Sequence, residues 1–237
     1  MKKFLALIIT ITLGVLTFGA CSDGSTLSNK GTSKTSNTSK KLSIVTTIFP
    51  EYDWVREILG DNVSNAELTL LMDNGVDLHN YQPSAEDIMK IAACDIFIYV
   101  GGESDEWVED ALAEATNKDM TVINLLDVLG DEVKEEEIKE GMEEDDHDQD
   151  DYDDQEEETE YDEHVWLSLK NAGKICDKIT EELCKKDQDN AKVYEANNKA
   201  YTDKLTKLDE DYKKTVDNAK NKTVVFGDRF PFRYLVE

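Results

Sequence analysis

Basic residues are scarce in this chain. Its 237 residues hold 26 Lys and Arg against 53 Asp and Glu, a formal charge of −27. Proteins that grip nucleic-acid phosphate need a basic face or stripe, so nucleic acid is excluded as a partner. Long apolar runs are equally scarce: after the first twenty residues, no segment is apolar enough to cross a bilayer. Beyond Cys21 there are only Cys94, Cys176 and Cys184, an odd number with no C-x-x-C pair. That argues against a disulfide framework or a cysteine metal knuckle, and the three read as buried thiols. Neither H-E-x-x-H nor G-x-S-x-G occurs, so the chain lacks the usual signatures of a hydrolase and reads as no enzyme.

What is present is unevenly placed. Residues 143–164 contain fifteen carboxylates and no Lys or Arg, which puts −15 of the −27 in one stretch. The chain is thus a globular protein with an acidic insert, and a length of 237 allows one large domain or two small ones. The insert itself reads as a solvated loop. Asp146, Asp148, Asp150, Asp154 and Glu157 match EF-hand spacing, but Asp151 stands where that loop needs Gly, so a calcium loop is the weaker reading.

The first twenty residues have the form of an export signal. Met1-Lys2-Lys3 precedes an apolar stretch from Phe4 to Phe18, and Gly19-Ala20 leads into Cys21. Small residues directly before that Cys resemble the bacterial lipobox, which makes Cys21 the expected lipidation site. Residues 22–40 are more than half Ser and Thr, the composition of a flexible tether. Together these place the mature protein on the extracytoplasmic face of the cell membrane, lipid-anchored.

From Lys41 onward the pattern alternates between strand and helix. Leu42–Ile48, Ala66–Leu71, Ile96–Val100 and Thr121–Leu125 read as strands. Pro50 opens a helix that Gly60 stops, Ser84 with Asp87 forms a capping box, and Ser104 caps a further helix. The expectation is an open α/β sheet with helices on both faces and ligands beyond the carboxyl ends of its strands. Val165–Cys184 reads as a helix, and a second, roughly Asn190–Lys220, carries Tyr201, Leu205, Leu208, Tyr212 and Val216 at steps of four, three, four and four. A helix about 45 Å long exceeds a small domain's width, so it is expected to join two lobes. Lys222–Phe226 should then begin a strand.

The expected parts are a signal at 1–20, a tether at 21–40 and an N-terminal α/β lobe at 41–142. The acidic loop at 143–163 follows, then the lobe's end with the connecting helix at 164–220. Residues 221–237 would start a C-terminal lobe that the chain leaves incomplete.

The three histidines lie in loops: His79 after the second strand, His147 within the acidic run and His164 at its end. Imidazole and carboxylate side chains in this combination suit zinc or manganese, whereas a solvated loop is the plainer reading of each alone. The run His79-Asn80-Tyr81-Gln82-Pro83-Ser84 resembles the H-x-Y-x-P-S segment of the zinc and manganese solute-binding proteins of bacterial ABC transporters. His164-Val165-Trp166-Leu167-Ser168 resembles their H-V-W-L-S-P segment, with Leu169 in place of Pro. The order of the two motifs, with an acidic loop between them, is the specific part of the likeness. It implies a two-lobed binding-protein fold with a long interlobe helix. It also implies Zn2+ (alternatively Mn2+) held by His79 and His164, and delivery by a monomer to an ABC permease. The family's third ligand is a His where this chain has Gly227, so the resemblance leaves the neighbouring Asp228 as a substitute and His147 as an accessory donor in the acidic loop. A surface adhesin or cation-buffering lipoprotein is the alternative role.

Overall fold

The computed structural model describes residues 41–73, 75–136, 160–226 and 231–236. Cys21, His147, Asp228 and most of the acidic run lie outside them. Four parallel strands form the sheet: β1 (Leu42–Thr46), β2 (Ala66–Leu70), β3 (Ile96–Tyr99) and β4 (Thr121–Asn124), in the order β2-β1-β3-β4. The strand chemistry explains the layering. Ile96, Phe97 and Ile98 are all buried, which a strand covered on both faces demands. Ile44, Ile96 and Ile98 belong to the core that includes Trp54, Val55, Ile175 and Ile179. Val45 and Phe97 point the other way, to Ile91, Val108 and Ala111.

Helices α1 (Phe49–Leu59) and α5 (Leu169–Lys186) therefore cover one face, and α2 (Ala85–Ala93) and α3 (Trp107–Ala113) the other. The α/β class and the two-faced cover agree with the sequence pattern. The Ser84 box forms as expected: its hydroxyl accepts from the Asp87 amide at 3.2 Å while Asp87 Oδ2 accepts from the Ser84 amide at 3.0 Å.

Several local expectations are corrected. Ser104 does not cap α3; it sits in a 3-10 turn, Glu103–Asp105, and its side chain turns to His79. Val165 does not open α5. Val165–Leu167 is a separate 3-10 turn, and Ser168 is the true N-cap, accepting from the Asn171 amide at 3.2 Å. A short helix, α4 (Leu125–Leu129), starts where the fourth strand was expected to continue, because Asn124 caps it. Residues 222–226 are not a strand. Val224 and Val225 are exposed and among the described residues no strand pairs with them, and apolar β-branched sequence cannot form a ladder alone.

The long helix α6 (Ala191–Asn218) is present and about 42 Å long. Its first half packs Tyr194 into the core, while Leu208, Tyr212 and Val216 on its second half are exposed. Among the described residues no helix is long and apolar enough to cross a membrane.

The two ends of the acidic segment are held side by side. Glu135 and Tyr161 form an antiparallel bridge, the Glu136 amide donates to the Glu160 carbonyl at 2.8 Å, and the Asp162 amide donates to the Lys134 carbonyl at 2.9 Å. From the helix α7 (Arg233–Val236), the buried Tyr234 hydroxyl accepts from the Lys134 amide at 2.8 Å and donates to the Asp162 carbonyl at 2.9 Å. The contacts that join the two ends come from Lys134 to Glu136, Glu160 to Asp162 and Tyr234. Replacing residues 137–159 with a four-residue Gly-Ser turn is expected to leave the thermal midpoint unchanged or higher, because loop closure becomes cheaper by about 1.5 kcal/mol. A fall of several degrees in a calorimetric scan would contradict this.

Candidate metal centre

In a β2-β1-β3-β4 sheet the direction of winding reverses between β1 and β3, and in folds of this kind ligands bind beyond the carboxyl ends of the strands at such a reversal. His79 meets Ser104, from the turn after β3, and His164 lies beside it. His79 lies in the 3-10 turn Leu78–Asn80 that follows β2; Leu78 is buried, and the Asp77 carboxylate accepts from the His79 amide at 3.0 Å. His164 precedes the Val165–Leu167 turn, and Asp162 Oδ1 accepts from its amide at 3.0 Å. These side chains, 85 residues apart in sequence, come together with ring centroids 5.4 Å apart. Two imidazoles bound through one nitrogen each to a tetrahedral ion at about 2 Å would place their centroids roughly 5 Å apart. The observed spacing fits one shared cation.

Orientation adds to the fit. His164 Nδ1 lies 2.9 Å from Asp162 Oδ1, and His79 Nδ1 lies 2.9 Å from Ser104 Oγ. With Nδ1 engaged in both rings, Nε2 is the nitrogen left to a ligand. A carboxylate behind a metal-binding imidazole fixes its tautomer and raises its basicity. The His79 and His164 side chains are 33% and 21% exposed, so a small cation can reach both. Trp166 flanks His164 at 5.3 Å between centroids. Among the described residues no three His, Cys, Asp or Glu side chains converge as a complete metal site. The pair supplies two donors of the four that zinc takes.

Behind the histidines lies a buried acidic layer that sequence reading missed. Gly101 and Gly102, at φ of 94° and 82°, turn the chain sharply after β3. That turn aims the Ser104 amide at Glu163 Oε1, 2.8 Å away, and lets the Gly101 amide donate to Asp105 Oδ2 at 3.0 Å. Glu51 is fully buried under the start of α1, where Oε2 accepts from the Thr47 amide at 2.8 Å. The Gly-Gly pair after an apolar strand was the available signal for a special turn here. Nothing in the sequence ties Ser104, Asp105 and Glu163 to one another.

Burial pushes the Asp105 carboxyl up to about 6, and the Glu163 charge adds to the rise. Burial, and then the charge of Asp105, also raises Glu51 well above the usual carboxylate range. The sign follows from linkage. Between about pH 4 and 6 the folded protein keeps a proton on Asp105 that the unfolded chain has lost, so the contribution of Asp105 to stability falls as pH rises through that window. Asp105→Asn should flatten this dependence and raise stability at pH 7 by up to about 3 kcal/mol. Urea unfolding at pH 4, 5, 6 and 7 measures it; an unaltered pH slope in the variant would refute it.

The cysteines are buried, Cys184 only partly, as expected. Burial pushes the Cys94 thiol up to about 12 and also raises Cys176, so neither offers a thiolate at neutral pH.

Comparison with known proteins gives the family of the chain. The family of the zinc-uptake complex component A, periplasmic, matches residues 44–237. The zinc-binding lipoprotein AdcA of Streptococcus pneumoniae strain R6 is 32% identical over 199 residues, covering 82% of this chain and 36% of AdcA. The high-affinity zinc uptake system protein ZnuA of Bacillus subtilis is 31% identical over 227 residues, covering 94% of this chain and 65% of ZnuA. The crystal structure of Zn(II)-bound AdcA from S. pneumoniae superimposes with a TM-score of 0.63 at 30% identity, over 82% of this chain and 37% of that one. The chain thus spans about a third of the streptococcal relative and about two thirds of the bacillary one.

Proposed function

Because the chain belongs to the family of the zinc-uptake complex component A, we propose that it is an extracytoplasmic receptor that captures zinc and hands it to an ABC permease. One observation carries the reading: His79 and His164, far apart in sequence, face each other across 5.4 Å with Nδ1 of each already engaged. Two neutral imidazole nitrogens suit zinc better than a harder ion, which prefers oxygen. Asp228, beside the Gly227 that replaces the family's third histidine, is the proposed source of a further donor. His147 is proposed to act in the acidic loop, where a dense carboxylate field raises the local cation concentration. Anchoring is assigned to a lipid on Cys21, and the receptor works as a monomer. The reading includes no catalytic step: the ion is cargo.

Calorimetric titration of the protein with ZnCl2, alone and in the presence of excess MnCl2, tests the metal. Stoichiometric zinc binding that manganese does not displace is expected, and preferential binding of manganese would overturn the choice. In the source bacterium, deletion should slow growth only when zinc is chelated, and added zinc should restore it.

A further inference from the structure

Glu163 is 6% exposed, and its two oxygens have different surroundings. Oε1 accepts from the Ser104 amide at 2.8 Å. Oε2 is buried without a hydrogen-bond partner among the described residues. A carboxylate oxygen can only accept, so only a donor can satisfy it. His79 Nδ1 lies 3.9 Å from it. The same nitrogen lies 2.9 Å from Ser104 Oγ, but a hydroxyl can donate or accept and so leaves the tautomer open. The buried negative charge decides it: a proton on Nδ1 is attracted to Glu163, whereas a lone pair there is repelled. Gly102 makes the arrangement possible, since a Cβ at that position would come within 2.4 Å of Glu163 Oε1.

We propose that Glu163 is a positioning residue for cation capture, holding His79 as the Nδ1–H tautomer so that Nε2 presents its lone pair to the metal. Asp162 does the same for His164 from the adjacent position, so two neighbouring carboxylates each orient one of the two imidazoles. The proposal rests on the metal-receptor reading for its purpose but not for its geometry. When Nε2 takes a cation the ring becomes electron-poor, and its Nδ1–H turns into a stronger donor toward the waiting Oε2. An acceptor buried without a partner costs stability in the metal-free protein and is satisfied in the loaded one.

Glu163→Gln tests this, because it keeps an acceptor for the Ser104 amide and removes the charge. The tautomer is read by long-range 15N–1H NMR at pH 8 on uniformly labelled protein, where only three histidines need assignment. His79 should be Nδ1–H in the wild type and predominantly Nε2–H in Glu163→Gln. Zinc affinity by calorimetry should weaken 10- to 100-fold, while the thermal midpoint of the metal-free protein stays level or rises. A purely structural role would instead lower the midpoint and leave the tautomer alone. An Nε2–H wild type, or an unchanged tautomer in the variant, overturns the proposal. The wild-type spectrum decides even where the variant does not fold. A tautomer switch in a protein that fails to bind zinc would uphold the positioning role and bring down the receptor reading instead.

Discussion

Zinc binding should fall below detection when His79 and His164 are both replaced by alanine, and by two orders of magnitude or more when either is replaced singly. The estimate follows from the energy of a four-ligand zinc site, on the order of 10–16 kcal/mol. Divided among four donors, that is roughly 2.5–4 kcal/mol each, and 1.4 kcal/mol is a factor of ten. Loss of one imidazole also strands the group behind it. Without His164, Asp162 Oδ1 keeps only the backbone amide of that residue. Both side chains are partly exposed, so truncating them should leave the fold intact. Circular dichroism and the thermal midpoint should confirm this, and calorimetry reads the affinity. Sub-micromolar zinc binding that survives the double replacement would sink the assignment of these two residues.

Gly102→Ala is expected to cost the fold about 3 kcal/mol and to damage the site as well. At φ of 82° and ψ of −168°, a region essentially confined to glycine, an L-residue is strained by roughly 1–3 kcal/mol. The added Cβ would also sit 2.4 Å from Glu163 Oε1, 2.7 Å from its Cγ and 2.9 Å from its Cδ. That side chain cannot simply swing aside, because Oε1 is tied to the Ser104 amide and the residue is buried. Displacing it breaks a charge-assisted hydrogen bond, worth about 1.5–3 kcal/mol. For a domain of this size the sum corresponds to a midpoint lower by roughly 10 °C. Gly75→Ala is the control: its φ is 70° with nothing within 4 Å of the new Cβ, so only the backbone term applies. Equal midpoints for the two variants would show that the contact with Glu163 carries no weight. Zinc affinity should also fall in Gly102→Ala and hold in Gly75→Ala.

The elements that were legible in the sequence are those set by neighbours along the chain. The apolar run Ile96-Phe97-Ile98 announces a strand covered on both faces, and Ser84 with Asp87 announces a helix start, because the contacts involved span three residues or fewer. Where a second element decides, local pattern is not enough. Val224 and Val225 have strand propensity but no partner strand among the described residues, and they form none. Ser104 has capping chemistry, but the Gly101-Gly102 turn delivers it to His79 instead.

The shortage of basic residues, the acidic insert, the α/β alternation and the two histidine motifs are properties of composition or short-range order. That His79 and His164 stand 5.4 Å apart, with Glu163, Ser104 and Asp162 behind them, is a property of the folded chain. That difference has a physical cause. A motif fixes which atoms can bind a cation, but their convergence depends on strand order, which in β2-β1-β3-β4 reverses beside β1, and on the turn after β3 that brings Ser104 to His79.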